Sequence, residues 1–238
     1  MNFLSSFQVK IFADGADLNT IHQLRERPWI KGFTTNPTLM RKAGVSNYET
    51  FAKNLLGQVQ DRPVSFEVFA DDFPEMKRQA LKIAGWGSNV YVKIPVTNTM
   101  RDSSVPLIRQ LASEGVKMNV TAMTTLNQFR DVTGALEKAS SAFVSLLAGR
   151  IADTGIDPVP VMQEAVGILH DFPHLELLWG SPREVFNVFQ AEAIGCHIIT
   201  LTSDLLKKLE LFGKDLEELS LETVKMFFED AKNAGYQL

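Results

Sequence analysis

Three observations predict a single-domain (β/α)8 barrel, an α/β fold, with one extra C-terminal helix. Eight apolar runs rich in β-branched residues recur along the 238 residues. Stretches with helical spacing separate them. No Gly/Ser/Pro-rich linker, composition break or internal repeat divides the chain. Parallel strands are covered on both faces and need a helical crossover between neighbours, so they read as near-continuous apolar runs alternating with helices. Eight such units fill the roughly 200–250 residues of a closed barrel, whereas a doubly wound sheet uses fewer strands.

In order, the predicted strands are VKIFADG from Val9, GFTTNP from Gly32, VSFEVFA from Val64 and NVYVKIPV from Asn89. KMNVTAM from Lys117, AFVSLLAG from Ala142, LELLWGS from Leu175 and HIITLTS from His197 follow. Met76, Ala80, Leu81, Ile83 and Ala84 give Asp72 to Ala84 a helical period, as Leu126, Phe129, Val132 and Leu136 do for Thr124 to Leu136. From Leu205 onward there is more helix than one unit requires. Leu221, Val224, Phe227, Phe228 and Ala231 place an apolar stripe on a helix over 219–238. That stripe packs on its own barrel or docks on a neighbouring subunit.

Composition narrows the function classes. With 24 Lys+Arg against 28 Asp+Glu the formal charge is −4, so no basic excess favours nucleic-acid binding. Charged residues interrupt every apolar run before the ~20 residues that span a bilayer, and no membrane insertion is expected. The single cysteine, Cys196, makes no internal disulfide, and MNFLSSFQVK lacks the basic n-region and long apolar h-region of a secretory signal. The expected location is the cytoplasm.

Along a barrel strand, alternate residues point into the packed interior, so charges there need a reason. Lys93 faces inward with Tyr91 and Pro95, and Glu67 does so with Ser65 and Phe69. Asp14 ends the first strand, and Asn119 and Thr121 are inward on the fifth. All lie toward the C-terminal strand ends, where barrel enzymes carry their active sites. A structural ion pair of Lys93 with Asp14 or Glu67 is the bland alternative, but buried pairs seldom stabilise better than apolar replacements. In an apolar interior a lysine's charged form is disfavoured, and the neutral amine is then a nucleophile toward a carbonyl, giving a Schiff base. Imine formation and carbon–carbon cleavage both need carboxylates within hydrogen-bond reach, jobs that Asp14 and Glu67 divide while Thr121 orients a shared water. His170 and His174 are four apart with Pro173 between them, and His22 and His197 stand alone, so neither a metal nor another cofactor is expected.

A phosphate site is the second constellation. Arg150 follows the sixth strand, and Ser181-Pro182-Arg183 follows the seventh, with Ser181 read as N-cap and Pro182 as the first residue of the next helix. A helix N-terminus with two guanidinium groups suits a phosphate, and late loops of this fold often bind one.

Taken together, the blocks IFADGAD, GFTTNPTLM, VYVKIPVT, NVTAM, AGRIADTG and GCHIITLT resemble the transaldolase family from about Ile11 to Leu206, with TTNP followed by VKIP the specific signature. The resemblance implies that Lys93 is the Schiff-base lysine and Asp14 the acid/base aspartate, with Glu67 and Thr121 holding the catalytic water. It further implies that Asn36 and Asn119 contact donor hydroxyls and Ser145 the sugar chain, and that Arg150, Ser181 and Arg183 bind phosphate. The related fructose-6-phosphate aldolases tend to have glutamine at Glu67. Leu147 departs from both groups, since transaldolases have Phe there and the aldolases Tyr, and leucine neither donates nor accepts a hydrogen bond.

The expected enzyme transfers a dihydroxyacetone unit from a ketose phosphate to an aldose phosphate. Its rivals are a Schiff-base aldolase releasing free dihydroxyacetone and a non-catalytic sugar-phosphate-binding barrel. Small transaldolases are often ring-like oligomers held partly by the C-terminal helix, so a homo-oligomer is expected.

Overall fold

A computed structural model describes residues 6–238; the first five residues of the opening stretch read above lie outside it. The described residues form two compact units, the first ending at Leu206 and the second spanning Lys207–Leu238.

The first unit is a closed barrel of eight parallel strands in chain order. The strands are β1 (Lys10–Asp14), β2 (Ile30–Thr34), β3 (Val64–Glu67), β4 (Val90–Pro95), β5 (Met118–Met123), β6 (Ala142–Leu146), β7 (Leu175–Trp179) and β8 (Ile198–Thr202). Seven lie within their apolar runs, and β2 starts at Ile30, two residues before the run read from Gly32. Helices α1 (Leu18–Arg25), α2 (Pro37–Lys42), α3 (Tyr48–Gln58), α4 (Phe73–Ala84), α5 (Val105–Ser113) and α6 (Leu126–Ala135) alternate with them, as do α7 (Ala148–Ala152), α8 (Pro158–Leu169) and α9 (Phe186–Ala193).

Local chemistry starts α4 and α6 where the sequence signals them. Asp72 accepts from the Glu75 amide at the head of α4, and Thr125 with Gln128 forms a reciprocal capping box on α6. Their apolar faces, such as Met76, Ala80 and Ile83 on α4, are buried.

The period-2 alternation stacks the barrel interior in layers. At the lower rim Lys10 pairs with Glu176 at 2.6 Å. Above it Phe12, Phe143, Leu178 and Ile198 form a packed cluster, against which Tyr91 rests with its ring stacked on Phe143 at 4.0 Å. Gly32 belongs to this layer because the Phe12 ring occupies the space of a side chain; a Cβ there would lie 2.6 Å from it. The next inward residues, on every strand but β7, are Asp14, Thr34, Glu67, Lys93, Asn119, Ser145 and Thr200. A polar layer therefore sits on an aromatic floor at the C-terminal mouth.

One inward assignment fails. β3 ends at Glu67, and Phe69 lies beyond it, 64% exposed at the rim against Tyr48.

After β8 come α10 (Ser203–Lys208), a 3-10 turn over Leu209–Leu211 and α11 (Leu216–Ala234). α11 begins three residues earlier than the expected 219, because the Asp215 carboxylate accepts from the amides of Glu217 and Glu218 and caps it there. None of its residues is buried, and Leu216, Val224, Phe227 and Phe228 are exposed. Among the described residues no helix is long and apolar enough to cross a membrane.

Candidate active site

All ten residues singled out in the sequence line one cavity of about 700 Å³ at the barrel mouth: Asp14, Asn36, Glu67, Lys93, Asn119, Thr121, Ser145, Arg150, Ser181 and Arg183. Strand register explains the convergence. Glu67 is the β-neighbour of Lys93, Lys93 of Asn119, and Asp14 of both Thr34 and Thr202, so each inward side chain meets the next around the ring.

Lys93 Nζ lies 3.1 Å from Glu67 Oε2 and donates to the Thr35 carbonyl at 3.0 Å. The surroundings expected to be apolar are therefore apolar only below, at the Tyr91 layer. Around the amine itself a carboxylate and a carbonyl receive its protons.

Asp14 accepts from Thr34 Oγ1 at 2.8 Å, and Thr34 Oγ1 lies 2.6 Å from Thr200 Oγ1. Burial pushes the Asp14 carboxyl above the ordinary aspartate value; the Lys93 charge and the Thr34 hydroxyl pull it back, and the Glu67 charge adds to the rise. A carboxyl raised in this way beside an ammonium suits proton exchange with a substrate hydroxyl.

A neutral chain continues around the mouth. Ser145 Oγ donates to Asn119 Oδ1 at 2.7 Å, and Asn119 Nδ2 donates to Ser65 Oγ at 3.1 Å, all three residues being buried. These bonds fix the amide's orientation. Asn36 caps α2 by accepting from the Leu39 amide at 3.0 Å. Thr121 precedes Ala122, whose backbone is left-handed (φ 66°) where the β5–β6 register shifts, a bulge that brings both residues to the cavity wall.

The phosphate constellation is built differently from the sequence reading. Ser181 does not cap a helix: α9 starts at Phe186, its N-cap position is Val185, and Ser181 is itself left-handed (φ 56°). Pro182 likewise lies in the loop. The first turn of α7, directly after β6, closes on the loop after β7 instead, Gly149 donating its amide to the Gly180 carbonyl at 3.3 Å. Only glycine fits at 149, since a Cβ would lie 1.5 Å from the Ser181 carbonyl oxygen.

The two arginines are also unequal. Arg183 Nε donates to Asp153 Oδ1 at 2.9 Å, and its Nη2 pairs with the other carboxylate oxygen. The Arg150 guanidinium has no partner among the described residues and faces the cavity. Asp153, Thr34, Thr35, Thr200 and Tyr48 went unnoticed in the sequence. Asp153 sits inside AGRIADTG, and Thr34 with Thr35, the residue just past β2, inside TTNP, while Thr200 shares the inward parity of its strand.

Among the described residues no group of three or more His, Cys, Asp or Glu side chains is placed to hold a metal ion.

The sequence profile of the Transaldolase/Fructose-6-phosphate aldolase family matches residues 11–238. The chain belongs to this family. A probable transaldolase of Chelativorans sp. is 35% identical over 221 residues, covering 91% of this chain and 97% of the relative. One from Dehalococcoides mccartyi is 33% identical over 202 residues, covering 84% and 90%. One from Thermoanaerobacter sp. is 30% identical over 231 residues, covering 97% and 100%. Among solved structures, 3-hexulose-6-phosphate synthase from Salmonella typhimurium superposes with a TM-score of 0.57 at 13% identity, covering 82% of this chain and 89% of that one. That likeness concerns the barrel fold.

Proposed function

We propose that this chain is a transaldolase working through a Schiff base on Lys93. The observation that carries the reading is the Lys93 amine held between Glu67 and the Thr35 carbonyl, with Asp14 across the same mouth.

The neutral amine, having given a proton to a neighbouring carboxylate, attacks the ketone carbon of a ketose phosphate. The carbinolamine loses its hydroxyl as water when that oxygen is protonated, leaving a protonated imine. Asp14 takes the proton of the C4 hydroxyl, the C3–C4 bond breaks, its electron pair moves into the imine to give an enamine, and an aldose phosphate departs. C3 of the enamine then adds to the aldehyde carbon of a second aldose phosphate, and Asp14 returns its proton to the new hydroxyl. Water held by Glu67 and Thr121 hydrolyses the imine and restores Lys93. Asn36, Asn119 and Ser145 align the donor hydroxyls, and Arg150 with Ser181 and Arg183 receives the terminal phosphate.

Glu67 supports transfer, because the related aldolases tend to carry glutamine there. The test is product formation from a ketose phosphate with and without an aldose phosphate acceptor. New ketose phosphate is expected only with the acceptor, and Lys93→Met is expected to remove it. Steady release of free dihydroxyacetone without an acceptor identifies an aldolase, and binding without turnover identifies a non-catalytic barrel.

A further inference from the structure

Tyr48 stands at the start of α3, outside the cavity lining, and its hydroxyl makes two hydrogen bonds to one residue. It donates to the Glu67 carbonyl at 2.7 Å and accepts from the Glu67 amide at 2.8 Å. In a parallel sheet, the amide and carbonyl of alternate residues face the same neighbouring strand, and both need partners. For Glu67 that neighbour is β2, which pairs with β3 only at Phe33–Val64 and Thr34–Ser65. The last main-chain bond on this side is Thr35 amide to Ser65 carbonyl at 3.1 Å. β2 then turns into α2, whose cap is Asn36, and leaves the next position of the ladder empty. The phenol hydroxyl fills it, acting as donor and acceptor where a strand residue would supply an amide and a carbonyl.

We infer that Tyr48 is a positioning residue for Glu67: its hydroxyl replaces the missing strand partner and fixes the backbone from which the Glu67 carboxylate reaches Lys93. The inference rests on the catalytic reading of Lys93 and Glu67 given above. On the other flank the Val68 amide donates to the Lys93 carbonyl at 3.1 Å. Glu67 is thereby held on both sides, and its carboxylate reaches the amine at 3.1 Å. The Tyr48 ring is itself held, with Phe66, Phe69 and Trp86 at centroid distances of 6.4, 5.5 and 6.0 Å. Burial raises the phenol's ionisation well above its ordinary range, so the hydroxyl keeps the proton it donates.

Tyr48→Phe keeps the ring and deletes both bonds. Two measurements on the full chain test the inference. Amide hydrogen exchange should show the Glu67 amide exchanging at least tenfold faster in Y48F, with Val64 and Val92 unchanged. That arm stands whether or not the enzyme is a transaldolase. In steady-state transfer, kcat should fall about tenfold to a hundredfold with KM within about twofold, the cost of a carboxylate displaced by a fraction of an ångström to an ångström. In an E67Q background the same substitution should change kcat by less than about twofold, because the group it positions has already been altered. Equal losses in both backgrounds, or unchanged Glu67 exchange, overturn the inference. Absence of any transfer by the unsubstituted enzyme overturns the catalytic reading instead, and the exchange result still decides what Tyr48 holds.

Discussion

Asp14 closes β1 with its carboxylate taking a hydrogen bond from Thr34 and facing the Lys93 charge, yet burial prevails and raises it above the ordinary value of 3.8. A carboxyl whose folded-state value is raised contributes stability fully below its unfolded value and loses it as pH rises through the folded value. Asp14→Asn should therefore melt higher than the parent at pH 7, with the gap closing as pH falls to about 4. In the proposed mechanism the same substitution removes the base for carbon–carbon cleavage and should lower kcat by about 10²–10⁴. Thermal melts across pH beside transfer kinetics check both; a lower melting point at pH 7, or kcat within a fewfold of the parent, contradicts the role given to Asp14. At this scale the sequence was most legible where a charge interrupted an apolar strand, as Lys93 and Glu67 do. Thr34 and Thr200 were not, because a threonine in a strand is ordinary and only register brings their hydroxyls together. Tyr48 was hidden for a related reason, its partner being a backbone that β2 leaves unpaired.

The strands and most helices could be read because their periods and caps are local: Asp72 before α4 and Thr125 before α6 lie next to the turns they cap. The segments after β6 and β7 could not. Ser-Pro reads as a helix start, but the close approach of Gly149 to the Ser181 carbonyl fixes that loop in a left-handed turn and delays α9 to Phe186. No local signal marks a contact between segments more than 30 residues apart. The same contact brings Ser181 and Arg183 alongside Arg150, with Asp153 gripping Arg183. Both members of that ion pair are about half exposed, 47% and 50%, so it adds roughly 0–1 kcal/mol and matters for placement. Gly149→Ala forces the two segments apart. It should cost about 1–3 kcal/mol of stability and raise KM for phosphorylated substrates, with little effect on kcat once the site is saturated. Denaturant melts and substrate titrations read the two effects; an unchanged KM would show that the loop closure does not shape the phosphate site.

For the whole molecule, eight strand–helix units in one chain account for the closed barrel, and closure is what turns side chains scattered from residue 14 to residue 183 into one cavity. The exposed stripe on α11 was also legible, as an apolar period in a polar helix. The barrel itself confines the Lys93 side chain, with an aromatic floor beneath, carboxylates at the sides and an opening above, as the proposed imine chemistry requires. That confinement makes a simple chemical demand, since an imine formed there is reducible and must be attached to one side chain. Borohydride added during incubation with a ketose phosphate, followed by peptide mapping by mass spectrometry, should find the reduced sugar adduct on Lys93 and none in Lys93→Met. No adduct in the parent enzyme, or the same adduct on another lysine in both proteins, would contradict the account.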